Sequence, residues 1–455
     1  MKIQKKLFIF AVLLMTASLV FAQISMTSYS TQNLFGTDVD DFMNVNEWQN
    51  VQPKNIFGFL GYGKTGKGSI NLGLAHQFKP FYLGTYFEGQ LNGWEKKKEA
   101  NGNITTYIPA GTASKSNGKL LFGFGNIGIM TDVSYKPDQN KKTEWTEATK
   151  TKQTDNLFNL DFNLIAGINL NSNNKLFKIS AKLGLESDVG KKTTKVDSKL
   201  TKFEDKSKYN LVINAGFSHD FSSKDGITQT VLADLDTKWG IWPTKREVNV
   251  VGGVTTTDYK YGELKDILRL TPKYRIAYEP EGKFAFKAEA GLGIGFDFEN
   301  DYNYTRTVVS SGGDTKAYNA ARTYKTTLSL QPELKAAFVY APVSKFKLNF
   351  GLGFNVPSVN WAFEKTETRD ASGNVTNTAK GNTLTFNTND GKFSADSGFT
   401  WLITENVIFD ANWNIVNNLL KTFSTDLPEG AGTNFWNTVN KLVVHNIKFA
   451  LSVKF

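Results

Sequence analysis

The last fourteen residues, LVVHNIKFALSVKF, alternate without a break. Val443, His445, Ile447, Phe449, Leu451, Val453 and Phe455 share one face, and Val444, Asn446, Lys448, Ala450, Ser452 and Lys454 share the other. A period of two places successive side chains on opposite faces of a β-strand. The same grammar recurs upstream. In LFNLDFNLIAGINL, Phe158, Leu160, Phe162, Leu164, Ala166, Ile168 and Leu170 oppose Asn159, Asp161, Asn163 and Asn169. In KFAFKAEAGLGIGFDF, the apolar set from Phe284 to Phe298 opposes Lys287, Glu289 and Asp297. After the N-terminal leader no long apolar run occurs, so helical membrane spans are excluded.

Connections alternate in length. KP after Phe78, GN after Phe124, NSNNK after Leu170, SSKDG after Phe221, EPEG after Tyr278, APVSK after Tyr340 and LITEN after Trp401 carry the Gly, Pro, Asn and Asp of tight turns. Between them run long polar connections rich in Lys, Thr, Asn and Gly, such as Gly190 to Lys208. Counting between connections gives about sixteen strands of about ten residues or more, long enough to cross a bilayer when tilted. Short turns on one side and long loops on the other predict an all-β, transmembrane antiparallel barrel, with the turns periplasmic and the loops extracellular. A soluble sandwich is the competing fold. It needs a second layer over every outward Phe, Leu and Ile, and its strands run to about five or six residues. The mean hydropathy of −0.33 does not decide the matter, because half of each barrel strand faces water.

The N-terminus reads as a secretory signal peptide over residues 1–22: basic MKIQKK, apolar LFIFAVLLMTASLV, and a small residue, Ala22, before the cut. A retained anchor is the alternative. Residues 23–53 form a periplasmic lead-in, and 54–455 the barrel. There is no cysteine, so neither a disulfide framework nor a thiolate metal site is available. The net charge of +10 falls to about +7 once Lys2, Lys5 and Lys6 leave with the leader. No nucleic-acid recognition motif accompanies that charge.

Three runs resemble chemical sites and fail on context. GYGKTGKGS, Gly61 to Ser69, comes within one residue of a P-loop, but Gly68 replaces the hydroxyl and a strand follows rather than a helix. It reads as the loop of the first hairpin. DVDDFMNVNE, Asp38 to Glu47, hints at a calcium loop, but Phe42 takes the third ligand position. It reads as a capped, partly helical segment that plugs or braces the lumen, or as a disordered lead-in. His76, His219 and His445 lie far apart on the lipid-facing parity, so no triad is expected, nor any enzyme activity, cofactor or metal.

The inward parity of the middle strands carries Arg269, Lys273, Arg275, Lys287, Lys325, Lys335 and Lys347, with Glu289 and Glu333 among them. A basic strip in a watery lumen favours anions. The alternative is that these charges pair with acids and fill the interior, since Glu88, Asp132, Asp161, Asp234, Asp236 and Asp410 share the parity.

The leader, the alternation and the terminal NIKFALSVKF resemble Gram-negative-type outer-membrane β-barrel proteins, with porins the nearest functional class. The likeness spans Asn55 to Phe455 and is architectural. It implies that Phe449, Leu451, Val453 and Phe455 form the signal read by the barrel-assembly machinery. It also implies outer-membrane lipid and small solutes as partners. A homo-oligomer is left open. The function expected is passive diffusion of small hydrophilic solutes with at most a weak anion preference. The alternatives are a transporter of hydrophobic substrates with residues 23–53 as a hatch, and a surface adhesin.

Overall fold

The computed structural model describes residues 41–49, 56–65, 67–78, 80–90, 94–98, 104–109, 116–145, 150–172, 175–196, 199–224, 226–251, 253–261, 264–280, 283–301, 304–387, 392–414 and 447–454. The signal segment, residues 23–40, Gly66, His445 and Phe455 lie outside them.

Among the described residues every strand pairing is antiparallel, and the first strand meets the last. Ile56–Thr65 pairs with Lys67–Phe78 from Ile56↔His76 to Thr65↔Lys67, which makes the KTGKG run a hairpin and not a phosphate cradle. The other edge of Ile56–Thr65 pairs with Ile447–Lys454, from Phe57↔Lys454 to Gly63↔Lys448, and this closes the sheet. Some strands are interrupted and continue in the same column. Phe346–Asn355 and Ser358–Arg369 both border Ala321–Val343, and Leu264–Tyr278 follows Val254–Tyr261 along Ile227–Val251. Joined this way, the segments form a closed barrel of sixteen strands. Around the ring, closure gives each described strand of the belt a neighbour on both sides, since an open edge in hydrocarbon is not tolerated.

The two faces are inverted relative to a soluble protein. Outward side chains are large, apolar and bare: Leu60, Phe78, Leu183 and Leu334 are each more than half exposed. Buried positions are often polar, including Asn71, Glu88, Asp410 and Ser452. Within this belt Phe449 and Leu451 point outward beside the closing seam, while Ala450 and Ser452 point inward. A contiguous apolar exterior of this extent marks a surface that meets lipid. Trp401 borders the belt near the short-turn end, and Trp239 and Trp361 border it on the far side. That is where interfacial girdles belong. The side chains of Trp242 and Trp413 lie outside the described residues.

Among the described residues, several of the long polar connections are themselves paired. Gly190 to Lys208, read from sequence as a connection, continues the strands Lys175–Val196 and Lys199–Lys224 to a tight reversal at Val196↔Lys199. The 26-residue strand Lys199–Lys224 spans roughly 85 Å at about 3.3 Å per residue, well beyond what a bilayer requires. The wall therefore stands far clear of the apolar belt at the end opposite the short turns. Polar residues occupy both faces there because no lipid selects between them.

Candidate functional site

The lumen carries two features on different parts of the ring. The first is the segment Asp41–Gln49. Asn44 N donates to Asp41 O at 2.9 Å, and Trp48 N donates to Asn44 O at 3.0 Å, which winds the segment into a compact turn. Phe42, Met43, Val45 and Trp48 are all buried in a cluster with Phe57, Phe59, Tyr82, Tyr86, Leu121 and Met130. All six of these wall residues take the inward parity. Phe42 meets Phe59 edge-on at 5.1 Å, and Trp48 packs against Tyr82 at 5.0 Å.

Inward glycines on five strands make room for this segment. A Cβ on Gly73 would lie 2.5 Å from Phe42, on Gly84 3.0 Å from Met43, and on Gly123 2.7 Å from Trp48. On Gly128 it would lie 2.4 Å from the Val45 carbonyl oxygen, and on Gly167 2.7 Å from the Val45 side chain. The seat is cut into the wall by the absence of side chains. Polar contacts then fix the register. Asn46 Nδ2 donates to Ile168 O at 3.2 Å and to Asn169 Oδ1 at 2.9 Å, and Asn169 Nδ2 donates to Asn46 O at 2.7 Å. Tyr82 Oη donates to Phe42 O at 2.9 Å, Glu47 pairs with Lys178 at 2.5 Å, and Gln49 Nε2 donates to Gly125 O. Gly125 lies in a short turn with φ of 55°, a conformation that favours glycine. The segment is thus anchored at the short-turn end. Sequence reasoning identified a bracing segment here but missed its seat, whose glycines lie on strands distant in sequence.

The second feature is the charged strip. Arg275 grips the nearly buried Glu289 carboxylate through Nε at 2.9 Å and Nη2 at 2.6 Å. Lys273 lies 3.0 Å from Asp234 and 3.5 Å from Glu333, and Lys335 lies 3.4 Å from Glu333. Lys287 pairs with Glu279 at 2.7 Å. Asp234, Lys273, Glu333 and Lys335 are linked by these ion pairs, the Arg275–Glu289 pair lies beside them with Glu289 opposite Lys335 in register, and the Lys287–Glu279 pair stands apart. Arg269 stands opposite Asp236 in register, and Lys325 stands opposite Glu364 and Glu299. Lys347, on the strand Phe346–Asn355, makes no ion pair among the described residues. Of the strip read from sequence, the structure brings Lys273, Arg275, Glu289, Glu333 and Lys335 together. Arg269, Lys325 and Lys347 remain outside that group, and Lys287 pairs with Glu279 instead.

Among the described residues no cluster of three or more His, Cys, Asp or Glu side chains could hold a metal ion. His76 stacks on Phe78 at 3.9 Å and His219 meets Phe177 at 5.6 Å, both on the outward face.

No protein-family model matches the chain, and no curated protein matches it. Solved structures of barrels do. CdiB from Acinetobacter baumannii is 10% identical with a TM-score of 0.31, over 88% of this chain and 60% of that one. This chain therefore spans less than two thirds of CdiB. The ferric yersiniabactin uptake receptor FyuA from Yersinia pestis is 7% identical with a TM-score of 0.35, over 89% and 81% of the two chains. The transport unit of the autotransporter AIDA-I from Escherichia coli is 12% identical with a TM-score of 0.25, over 70% and 89%. Likenesses this remote carry no functional weight. The barrel is nonetheless of the outer-membrane type by its own closure, strand number and inverted faces.

Proposed function

We propose that the chain is an outer-membrane channel for the passive diffusion of small hydrophilic solutes, narrowed at its short-turn end by Asp41–Gln49. The observation that carries this reading is the lumen-facing network of Lys273, Arg275, Glu289, Glu333 and Lys335, set inside an apolar exterior. A sixteen-stranded wall encloses more space than its side chains fill. Charged groups on that wall keep the space wet. Pairing within the network lowers the net field, so any anion preference is weak and comes from the cations outside it.

The seated segment favours a second reading, an uptake barrel in which the N-terminal region acts as a hatch. The uptake receptor FyuA matches this fold only remotely, so this reading stands on the glycine seat alone.

Planar-bilayer recording of the mature chain and of a variant lacking residues 23–49 separates the two. A passive channel conducts in steps in both forms, with larger steps in the deletion. A folded barrel that conducts only after the deletion is a hatch-gated transporter. One that conducts in neither form contradicts the channel.

A further inference from the structure

The outward face of the barrel changes character at one level on three neighbouring strands. On Ala321–Val343, Leu330 and Leu328 give way to Thr326, Tyr324 and Arg322. On Ser358–Arg369, Trp361 and Phe363 give way to Lys365, Glu367 and Arg369. On Val375–Asn387, Phe386 and Leu384 give way to Asn382 and Lys380. Phe363 is 43% exposed and Leu384 59% exposed, so the apolar band reaches this boundary uncovered.

An open groove of about 740 Å³ lies at the boundary, lined by Tyr324, Thr326, Phe363, Lys365, Lys380 and Asn382, while the Glu364 between Phe363 and Lys365 faces the lumen. Lys365 and Lys380 stand directly opposite each other in the register. Like charges in directly opposed positions repel and destabilise a sheet. Glu367 relieves one side only: it lies 2.6 Å from Lys365 and 2.7 Å from Arg369. Lys380 makes no ion pair among the described residues. Arg322 lies over the Tyr324 ring at 4.7 Å, and Lys365 lies 5.5 Å from the same ring. Four outward cations, Arg322, Lys365, Arg369 and Lys380, thus share the one outward carboxylate of Glu367 beside a groove whose lower wall is aromatic.

We propose that this groove binds the phosphate of a membrane lipid, with Lys365 and Lys380 holding the phosphate oxygens and the acyl chains lying down over Phe363, Trp361 and Leu384. The chemistry fits an amphiphile. The cations sit at headgroup level and the rings sit one step into the hydrocarbon. A lipid phosphate also resolves the opposition of the two lysines, because charge-assisted contacts to a shared anion replace their mutual repulsion. The inference rests on the reading of the chain as a membrane barrel.

The test uses the full mature chain in nonionic detergent, shown to be folded by heat-modifiable migration and by insertion into liposomes. Native mass spectrometry then counts bound lipid with phosphatidic acid and with diacylglycerol, which differ only in the phosphate. Phosphatidic acid is expected to bind the native chain. The Lys365→Gln, Lys380→Gln double variant is expected to lose about tenfold in affinity. Equal uptake of the two lipids, unchanged binding in the folded double variant, or saturation by inorganic phosphate alone overturns the proposal. A chain that migrates as folded and fails to insert overturns the membrane reading itself, and the lipid site with it.

Discussion

The indole of Trp48 rests on the bare backbone of Gly123, where an added Cβ would fall 2.7 Å from the ring. The same relation joins Gly128 to the main chain of Val45. The wall and the segment Asp41–Gln49 therefore fit as a matched pair, and the fit is specified by what the wall lacks.

Gly123→Val or Gly128→Val should unseat the segment. Forcing extra carbons into a filled space costs about 1–3 kcal/mol, and displacing the segment is the cheapest relief. The chain has no native cysteine, so Val45→Cys, close in size to the buried valine, gives a single reporter that leaves the Asn46 contacts in place. A water-soluble maleimide should label it slowly in the native background and several-fold faster in either valine variant, an order-of-magnitude expectation from local opening. Gly118→Val is the control, because nothing lies within 4 Å of a Cβ there.

Arg275→Met should destabilise the barrel by about 3 kcal/mol, since it strands the Glu289 carboxylate without its partner. The Glu289 side chain is only 4% exposed. Glu289→Gln in the same chain should restore most of the loss. The urea midpoint of heat-modifiable migration reads both changes.

The selectivity of the lumen should respond unequally to charge reversal. Lys347→Glu removes a cation with no ion pair among the described residues, and should shift the reversal potential toward cations. Lys273→Glu places a third carboxylate beside Asp234 and Glu333, and should mainly lower stability. Bilayer recording under a salt gradient separates the two. No shift in either variant would remove the strip from the account of selectivity.

Glu367 lies on the wall above the apolar belt. Hydrogen bonds from Lys365 and then Arg369 pull its carboxyl down from 4.5 to about 2. Its folded-state pKa is depressed, so its contribution to stability is fully present above pH 4.5 and is lost as the pH falls through about 2. Carbon-13 titration of the labelled carboxylate should show the low midpoint. Lys365→Met should move it upward.

Much of the fold was legible because lipid imposes the period-two code on every spanning strand. Leu160 to Leu170, Phe284 to Phe298 and Phe449 to Val453 each face as their spacing predicts. Above the belt the code falls silent. Lys191, Thr193 and Lys195 pair without a shift with Asn156, Thr154 and Lys152, yet nothing apolar marks them as strand. The glycine seat was illegible for another reason. Gly73, Gly84, Gly123, Gly128 and Gly167 come together only when the barrel is assembled, and each alone reads as ordinary strand punctuation. The charged strip was visible as a parity. Its pairing, Arg275 with Glu289 and Lys273 with Asp234, needed the register between strands.

The central claim is that a greasy exterior and a wet interior alternate along every spanning strand. Spin labels at the adjacent positions Lys182→Cys and Leu183→Cys, in liposomes, test it most directly. Dissolved oxygen should relax the label at 183, which replaces a side chain 53% exposed on the outside, and a water-soluble nickel complex should relax the label at 182. Equal access of both reagents to both sites would contradict the barrel as described.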